Sequence, residues 1–165
     1  MRTSFANRVP RTSRCCSRSK RACRLSQNRS VVPKYRPKRR AVAAVIERAG
    51  LILIGQRKPR GRHGLKWEFP GGKVEPGEES REALARELRE ELGIEAHIGA
   101  EIEHYDFSYS AGKVTRLMFF KVTRFTGEPE NLDFAQIAWV SRSRLPDYDF
   151  LEGDVAFVRR LVAIT

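Results

Sequence analysis

The chain predicts an α+β sandwich built of mixed strands, one central helix and one terminal helix. Three observations lead there. Short apolar runs of strand length dominate residues 41–140, one long helical pattern interrupts them at Ser80–Leu92, and a second amphipathic helical pattern closes the chain.

The elements follow in order. Ala41–Glu47 (AVAAVIE) reads as a buried strand and Leu51–Gln56 (LILIGQ) as its partner, with Arg48–Gly50 as a hairpin turn. Arg57 closes the second strand. A basic loop, KPRGRHGLK, leads to Trp67-Glu68-Phe69-Pro70 and a glycine pair, Gly71 and Gly72. Ser80–Leu92 is built of good helix formers, with Leu84, Leu88 and Leu92 four apart on one face. Ser80 or a neighbouring acid is placed to cap its start, and Gly93 stands where a left-handed C-terminal cap belongs. Ala96–Ile102, His104–Tyr109 and Arg116–Val122 read as strands, the last two joined by a turn at Ser110–Lys113 with Ala111-Gly112 at its tip. Gly127-Glu128-Pro129 is a loop, Ile137–Val140 a short strand and Asp154–Ile164 the final helix.

Charge divides the 165 residues in two. The net charge is +12, but residues 1–40 hold 14 Lys and Arg and no acid, so residues 41–165 carry a net −2. The expected organisation is a basic Arg/Ser-rich tail over residues 1–40, disordered in isolation, and one folded domain over residues 41–165. The tail admits three readings: an organelle transit peptide, a nucleic-acid arm acting on phosphate charge, or a translated stretch upstream of the true start. The expected location is cytoplasmic, or mitochondrial or plastid if the tail is a transit peptide. All three cysteines (Cys15, Cys16, Cys23) lie in the tail at spacings that fit no common zinc pattern. No apolar run is long enough to span a bilayer, so no membrane partner is expected. A monomer is favoured.

The chemistry concentrates between Gly72 and Ile94. Glu78, Arg86, Glu87, Leu88, Glu90, Glu91, Gly93 and Ile94 follow Gly72 in the pattern G-x5-E-x7-R-E-U-x-E-E-x-G-U, where U is a bulky aliphatic residue. A chance match is on the order of one in a billion per start position. Glu87, Glu90 and Glu91 stand at i, i+3 and i+4, so their carboxylates leave one side of the helix and repel one another. A hard divalent cation such as Mg²⁺ would remove that repulsion. A solvated helix rich in Glu and Arg is the plainer reading, but it leaves the glycine loop and Glu78 unexplained.

This pattern resembles the Nudix box, the signature of hydrolases that cleave nucleoside diphosphates linked to another group. The resemblance implies the Nudix fold, a mixed β-sheet sandwiched between helices, with the box as a loop–helix–loop on its rim. The run WEFPGGKVEPGE further resembles the MutT-type branch, which hydrolyses nucleoside triphosphates to monophosphate and pyrophosphate; its best-known substrate is 8-oxo-dGTP, removed before it corrupts DNA replication. The resemblance covers about Ala41–Leu161. It implies Mg²⁺, with Mn²⁺ as a substitute, held by Glu87, Glu90, Glu91 and the Gly72 carbonyl. Asp133, six before Trp139, matches a family acid, usually Glu, that supplies a further metal ligand or the base for the attacking water. A carboxylate among Glu90, Glu91 and Asp133 would activate the water, and Arg86 would pair with Glu78 to hold the loop.

By the same resemblance Arg57 lies near the nucleotide, Phe69, Phe107 and Leu117 line the base pocket, and Asp154 reads the base edge. Asp154 also reads as the N-cap of the last helix, and Phe107 and Leu117 as core. His63 reads as a solvated loop histidine, and His97 and His104 carry no pairing signal. The implied function is Mg²⁺-dependent hydrolysis of a nucleoside triphosphate, 8-oxo-dGTP before CTP or dCTP; the third alternative is a non-catalytic Nudix module that binds RNA or protein through the tail.

Overall fold

Sheet and helices are laid out so that two central strands feed both cores. A computed structural model describes residues 39–110 and 113–163, which belong to one compact unit, residues 35–165. The tail, its cysteines, the turn tip Ala111-Gly112 and Ile164 lie outside the described residues. The strands are β1 (Arg39–Arg48), β2 (Leu51–Gln56), β3 (Trp67–Glu68), β4 (Gly71–Lys73), β5 (Glu95–His97), β6 (Glu101–Ser110), β7 (Lys113–Val122), β8 (Arg124–Thr126) and β9 (Gln136–Ser141). The helices are α1 (Ser80–Leu92) and α2 (Glu152–Ala163), with a 3₁₀ turn at Arg142–Asp147.

The main sheet runs β3-β2-β1-β7-β6, with β4 added to β1 and β9 to β2; β5 and β8 form a separate two-stranded sheet. β1 is antiparallel to β2 and β4 but parallel to β7, so the sheet is mixed. Alternation across the pleat then sends side chains to two cores. Val42, Ala44 and Ile46 of β1 join Met118, Phe120 and Val122 of β7 beneath Leu84, Leu88 and Leu92 of α1. Their neighbours Val45, Leu117 and Phe119 face Phe157, Val158 and Leu161 of α2. Phe119 and Phe157 stack with ring centroids 3.9 Å apart. This is the α+β sandwich that the sequence predicts.

Several elements differ from expectation in identifiable ways. β1 begins at Arg39, because its parallel ladder with β7 starts with Arg39 opposite Thr115. The hairpin turns on Ala49 (φ 50°) and Gly50 (φ 77°) alone, a two-residue turn with both central residues at positive φ. The expected strand Ala96–Ile102 is two strands: β5 pairs with β8, while Gly99 breaks away to donate to the Lys121 carbonyl at 2.8 Å. Helix α1 starts after Glu79, which makes no side-chain cap; Ser80 is already inside the helix. Its other end matches expectation, with Gly93 left-handed (φ 67°) and its N–H bonded to Arg89 O. Helix α2 starts at Glu152, which puts Asp154 inside its first turn rather than at the cap.

Candidate active site

The glycine loop is fastened to the sheet before it reaches the helix. Ala43 and Val42 of β1 stand opposite Gly71 and Gly72 of β4, and the Ala44 N–H donates to Pro70 O at 2.8 Å. Gly71 has φ 147°, and a Cβ there would overlap the Val42 carbonyl oxygen, so the close strand approach requires glycine. At Gly72 the obstacle is different: a Cβ would overlap the carboxylate of Glu87. Helix α1 therefore lays Glu87 directly over the loop backbone.

Arg86 knits the rest of the box together. Its Nε and Nη2 donate to the two oxygens of Glu78 at 3.0 and 3.1 Å, a planar fork on a carboxylate. Its Nη1 reaches Glu87 at 3.0 Å and Glu90 at 3.3 Å, and Nη2 also reaches the Lys73 carbonyl at 3.2 Å. Hydrogen bonding to Arg86 holds the Glu78 carboxyl below its ordinary range.

Glu91 sits on the inner side of the helix. The Gly71 N–H donates to its Oε2 at 2.9 Å. Burial pushes its carboxyl up to about 8, aided by the negative charges of Glu68, Glu87 and Asp133 and opposed by the Gly71 hydrogen bond. Acids crowded in this way are stabilised by a cation. The donors fit a hard divalent ion: all are carboxylate oxygens, set beside a glycine loop with no side chain to block approach. Among the described residues no three His, Cys, Asp or Glu side chains already surround one point closely enough to cage an ion. Glu87 and Glu90 are instead drawn onto Arg86.

A cleft of about 370 Å³ runs from this loop across the α2 face of the sheet. Gly71, Gly72 and Lys73 line it together with Phe69, Leu117, Leu151 and Asp154. Ala41 and Ala43 also line it with small side chains.

Among the described residues Asp154 is the one charged residue in the buried set, 6% exposed. Two links carry it there: the Trp67 N–H donates to Asp149 O at 2.9 Å, and the Leu151 N–H to Trp67 O at 2.8 Å. These tie β3 to the start of α2, so Phe69 follows within reach of α2 and its N–H donates to the Asp154 carboxylate. Burial first, then the Glu68 charge, push the Asp154 carboxyl up to about 8.

Of the residues singled out from sequence, Arg57, Phe69, Gly72, Leu117 and Asp154 meet in this cleft. Arg57 does so through its Nη1, 2.9 Å from both oxygens of Glu68. Phe107 is absent from the lining and packs edge-on against Tyr109, ring centroids 4.7 Å apart. Asp133 is exposed and paired with Lys58 at 2.8 Å. It is held there by the buried Phe134, whose ring fills the space beside Gly55, and by Leu132 N–H bonded to Glu91 O at 3.0 Å.

Three residues change standing. Glu68 lines the cleft, is largely shielded from solvent, and has its carboxyl raised by that desolvation against the pull of Arg57; the available signal was an acid flanked by the aromatics Trp67 and Phe69. Tyr109 lines the cleft where Phe107 was expected, and the alternation Tyr105–Phe107–Tyr109 was its signal. His63 lies in the loop and is half-buried, and it lines the cleft with its ring edge-on to Tyr109 at 5.7 Å. His104, far from the cleft lining, pairs with Glu101 at 2.5 Å.

A mixed sheet between two helices, carrying this carboxylate helix and glycine loop beside a deep cleft, defines a nucleotide hydrolase that acts on phosphoanhydride bonds. The chain belongs to the Nudix family: the NUDIX domain model matches residues 37–161. It is 38% identical to the CTP pyrophosphohydrolase of Escherichia coli over 123 residues, covering 74% of this chain and 90% of the relative. It is 35% identical to the 8-oxo-dGTP diphosphatase of Haemophilus influenzae over 114 residues, 68% of this chain and 82% of the relative. A solved MutT structure, from work on the Aliivibrio salmonicida and Vibrio cholerae proteins, superposes with a TM-score of 0.67 at 33% identity, covering 77% of this chain and 98% of the other. A divalent metal is the usual requirement of this family. Among the described residues no helix is long and apolar enough to cross a membrane.

Proposed function

We propose that the protein hydrolyses nucleoside triphosphates to monophosphate and pyrophosphate, with 8-oxo-dGTP as the favoured substrate and Mg²⁺ as the cofactor, Mn²⁺ substituting. One observation carries this reading: one cleft of about 370 Å³ is lined both by the box glycines and by a buried acid. It would take a nucleotide with its phosphates over Gly71 and Gly72 and its base beside Asp154. The setting would be the cytoplasmic nucleotide pool.

Glu87, Glu90 and Glu91 would hold the metal, with the Gly72 carbonyl beside them. When bound, the ion neutralises charge that grows on the phosphate oxygens. The chain's own groups do the rest. Gly71 orients Glu91 through its N–H, leaving the other carboxylate oxygen to take a proton from water. Arg86 holds Glu87 and Glu90 in the pose from which they turn to the metal. Arg57, fixed by Glu68, presents a permanent cation to the nucleotide. Phe69 and Leu117 exclude water around the base. Asp154, protonated through the neutral range, both donates and accepts at the base edge.

The second reading, a CTP or dCTP pyrophosphohydrolase, is favoured by the 38% identity to the Escherichia coli enzyme. The test is pyrophosphate release by the full chain with Mg²⁺ on 8-oxo-dGTP, dGTP, dCTP, CTP and ADP-ribose. The expected result is the highest kcat/KM on 8-oxo-dGTP. Preference for the cytidine nucleotides would select the second reading, and no turnover of any triphosphate would overturn both.

A further inference from the structure

Helix α2 meets the edge strand β6 along one row of its residues. Gly153, Phe157 and Arg160 are spaced four and three apart, so they share one helix face. Tyr105 of β6 engages all three. Its hydroxyl donates to the Gly153 carbonyl at 2.6 Å, and the Phe157 N–H lies within hydrogen-bonding range of the same hydroxyl. Both groups of one backbone rung of the helix therefore meet a single phenol. The Tyr105 ring stacks on Phe119 with centroids 5.7 Å apart, and Phe119 stacks in turn on Phe157. The Arg160 guanidinium lies 5.0 Å from the Tyr105 ring centroid and forks onto Glu103, two residues earlier on β6, at 2.6 and 2.8 Å. Tyr109 bounds the row at its start, where a Cβ on Gly153 would overlap its hydroxyl.

We infer that Tyr105 is a positioning residue: its hydroxyl sets the rotation of the first turn of α2 and thereby directs the Asp154 carboxyl into the cleft. Asp154 follows Gly153 directly, so it is turned by about 100° from the face that β6 holds. In that direction it lines the cleft with Phe69, whose N–H donates to its carboxylate. Rotation of the first turn about the helix axis would swing the carboxyl away from this donor. Ring stacking tolerates such sliding, whereas a hydrogen bond is directional, so the Tyr105 hydroxyl is the fixed point that opposes it. The consequence for ligand binding rests on the nucleotide reading given above; the positioning itself does not.

The test reads position and binding separately in the full chain. Tyr105→Phe keeps the ring and removes only the hydroxyl. In amide proton–nitrogen spectra the Phe69 signal reports its hydrogen bond to Asp154, and Asp154→Ala marks where that signal falls once the bond is gone. The Gly93 signal, from the C-terminal cap of α1, marks any change that is not local. Tyr105→Phe is expected to move the Phe69 signal most of the way to its position in Asp154→Ala and to leave Gly93 in place. Calorimetric titration without metal should then show dGMP and dCMP bound about tenfold more weakly than by the wild type. An unmoved Phe69 signal overturns the proposal, as does a moved one with unchanged affinity, or a Gly93 signal displaced as far as that of Phe69. A wild type that binds neither monophosphate would overturn the nucleotide reading instead, and the Phe69 signal alone would then decide the role of Tyr105.

Discussion

The carboxylate of Glu87 occupies the space that a side chain on Gly72 would fill. Gly72 has an ordinary backbone conformation, and the group in its way is the end of a flexible side chain, so Gly72→Ala should fold and push Glu87 aside. The neighbouring Gly71 is the opposite case: its φ of 147° and the Val42 carbonyl leave no room for a Cβ. Gly72→Ala should lower kcat by about a hundredfold with a melting temperature near wild type, whereas Gly71→Ala should lower the melting temperature itself. Thermal melts beside pyrophosphate release separate the two.

Glu91→Gln removes an ionisable carboxyl without removing volume. The amide oxygen can still accept from Gly71 N–H, and the buried group can no longer ionise beside Glu68, Glu87 and Asp133. The variant should melt at or above the wild-type temperature while turnover falls by about 10²–10⁴. Turnover near wild type would remove Glu91 from the mechanism.

Arg86→Lys tests the fork. Lysine keeps the charge but cannot offer the planar pair of donors that meets both oxygens of Glu78. Contacts to Glu87 and Glu90 go with it. The expected outcome is a lower melting temperature together with roughly tenfold weaker activity. Loss of both together would show that Arg86 acts by holding the loop.

Asp154 sets a pH dependence whose sign follows from burial. Its carboxyl lies at about 8 in the folded chain against 3.8 ordinarily, so between those values the folded state keeps a proton that the unfolded state releases. Stability from this group is full below about pH 4 and declines as pH rises, by up to about 1.4 kcal/mol per unit, until about pH 8. Asp154→Asn, whose amide oxygen can still accept from Phe69 N–H, should flatten that decline. Denaturant melts of both proteins from pH 5 to 9 measure it, and parallel curves would contradict the burial argument.

What the sequence revealed and what it hid follow from the range of the forces involved. Helix α1 was legible to the residue because its apolar stripe and terminal glycine are local signals. β3, β4, β5 and β8 have two or three residues each, too few for any alternation to register, and exist because a partner strand lies beside them. In the cleft, Arg57, Leu117 and Asp154 could be placed by resemblance. Glu68 could not be assigned a role, since its place in the cleft depends on residues 149–151 returning to pair with β3. Phe107 and Tyr109 share one face of β6, and only the packing of Tyr109 on Gly153 decides which of them reaches the cleft.

The parallel ladder between β1 and β7 bears on how the enzyme comes into being during synthesis. Its partners, Arg39 with Thr115 through Ile46 with Val122, lie 76 residues apart along the chain. The glycine loop is braced on β1, and Asp154 of the cleft is supplied by α2, which follows β7 in the chain. Contacts of such long sequence separation close slowly and only once both ends are available. A nascent chain can therefore carry the whole box yet remain inert until α2 has also been made, and a message cut short before α2 yields a protein with the signature but no catalyst.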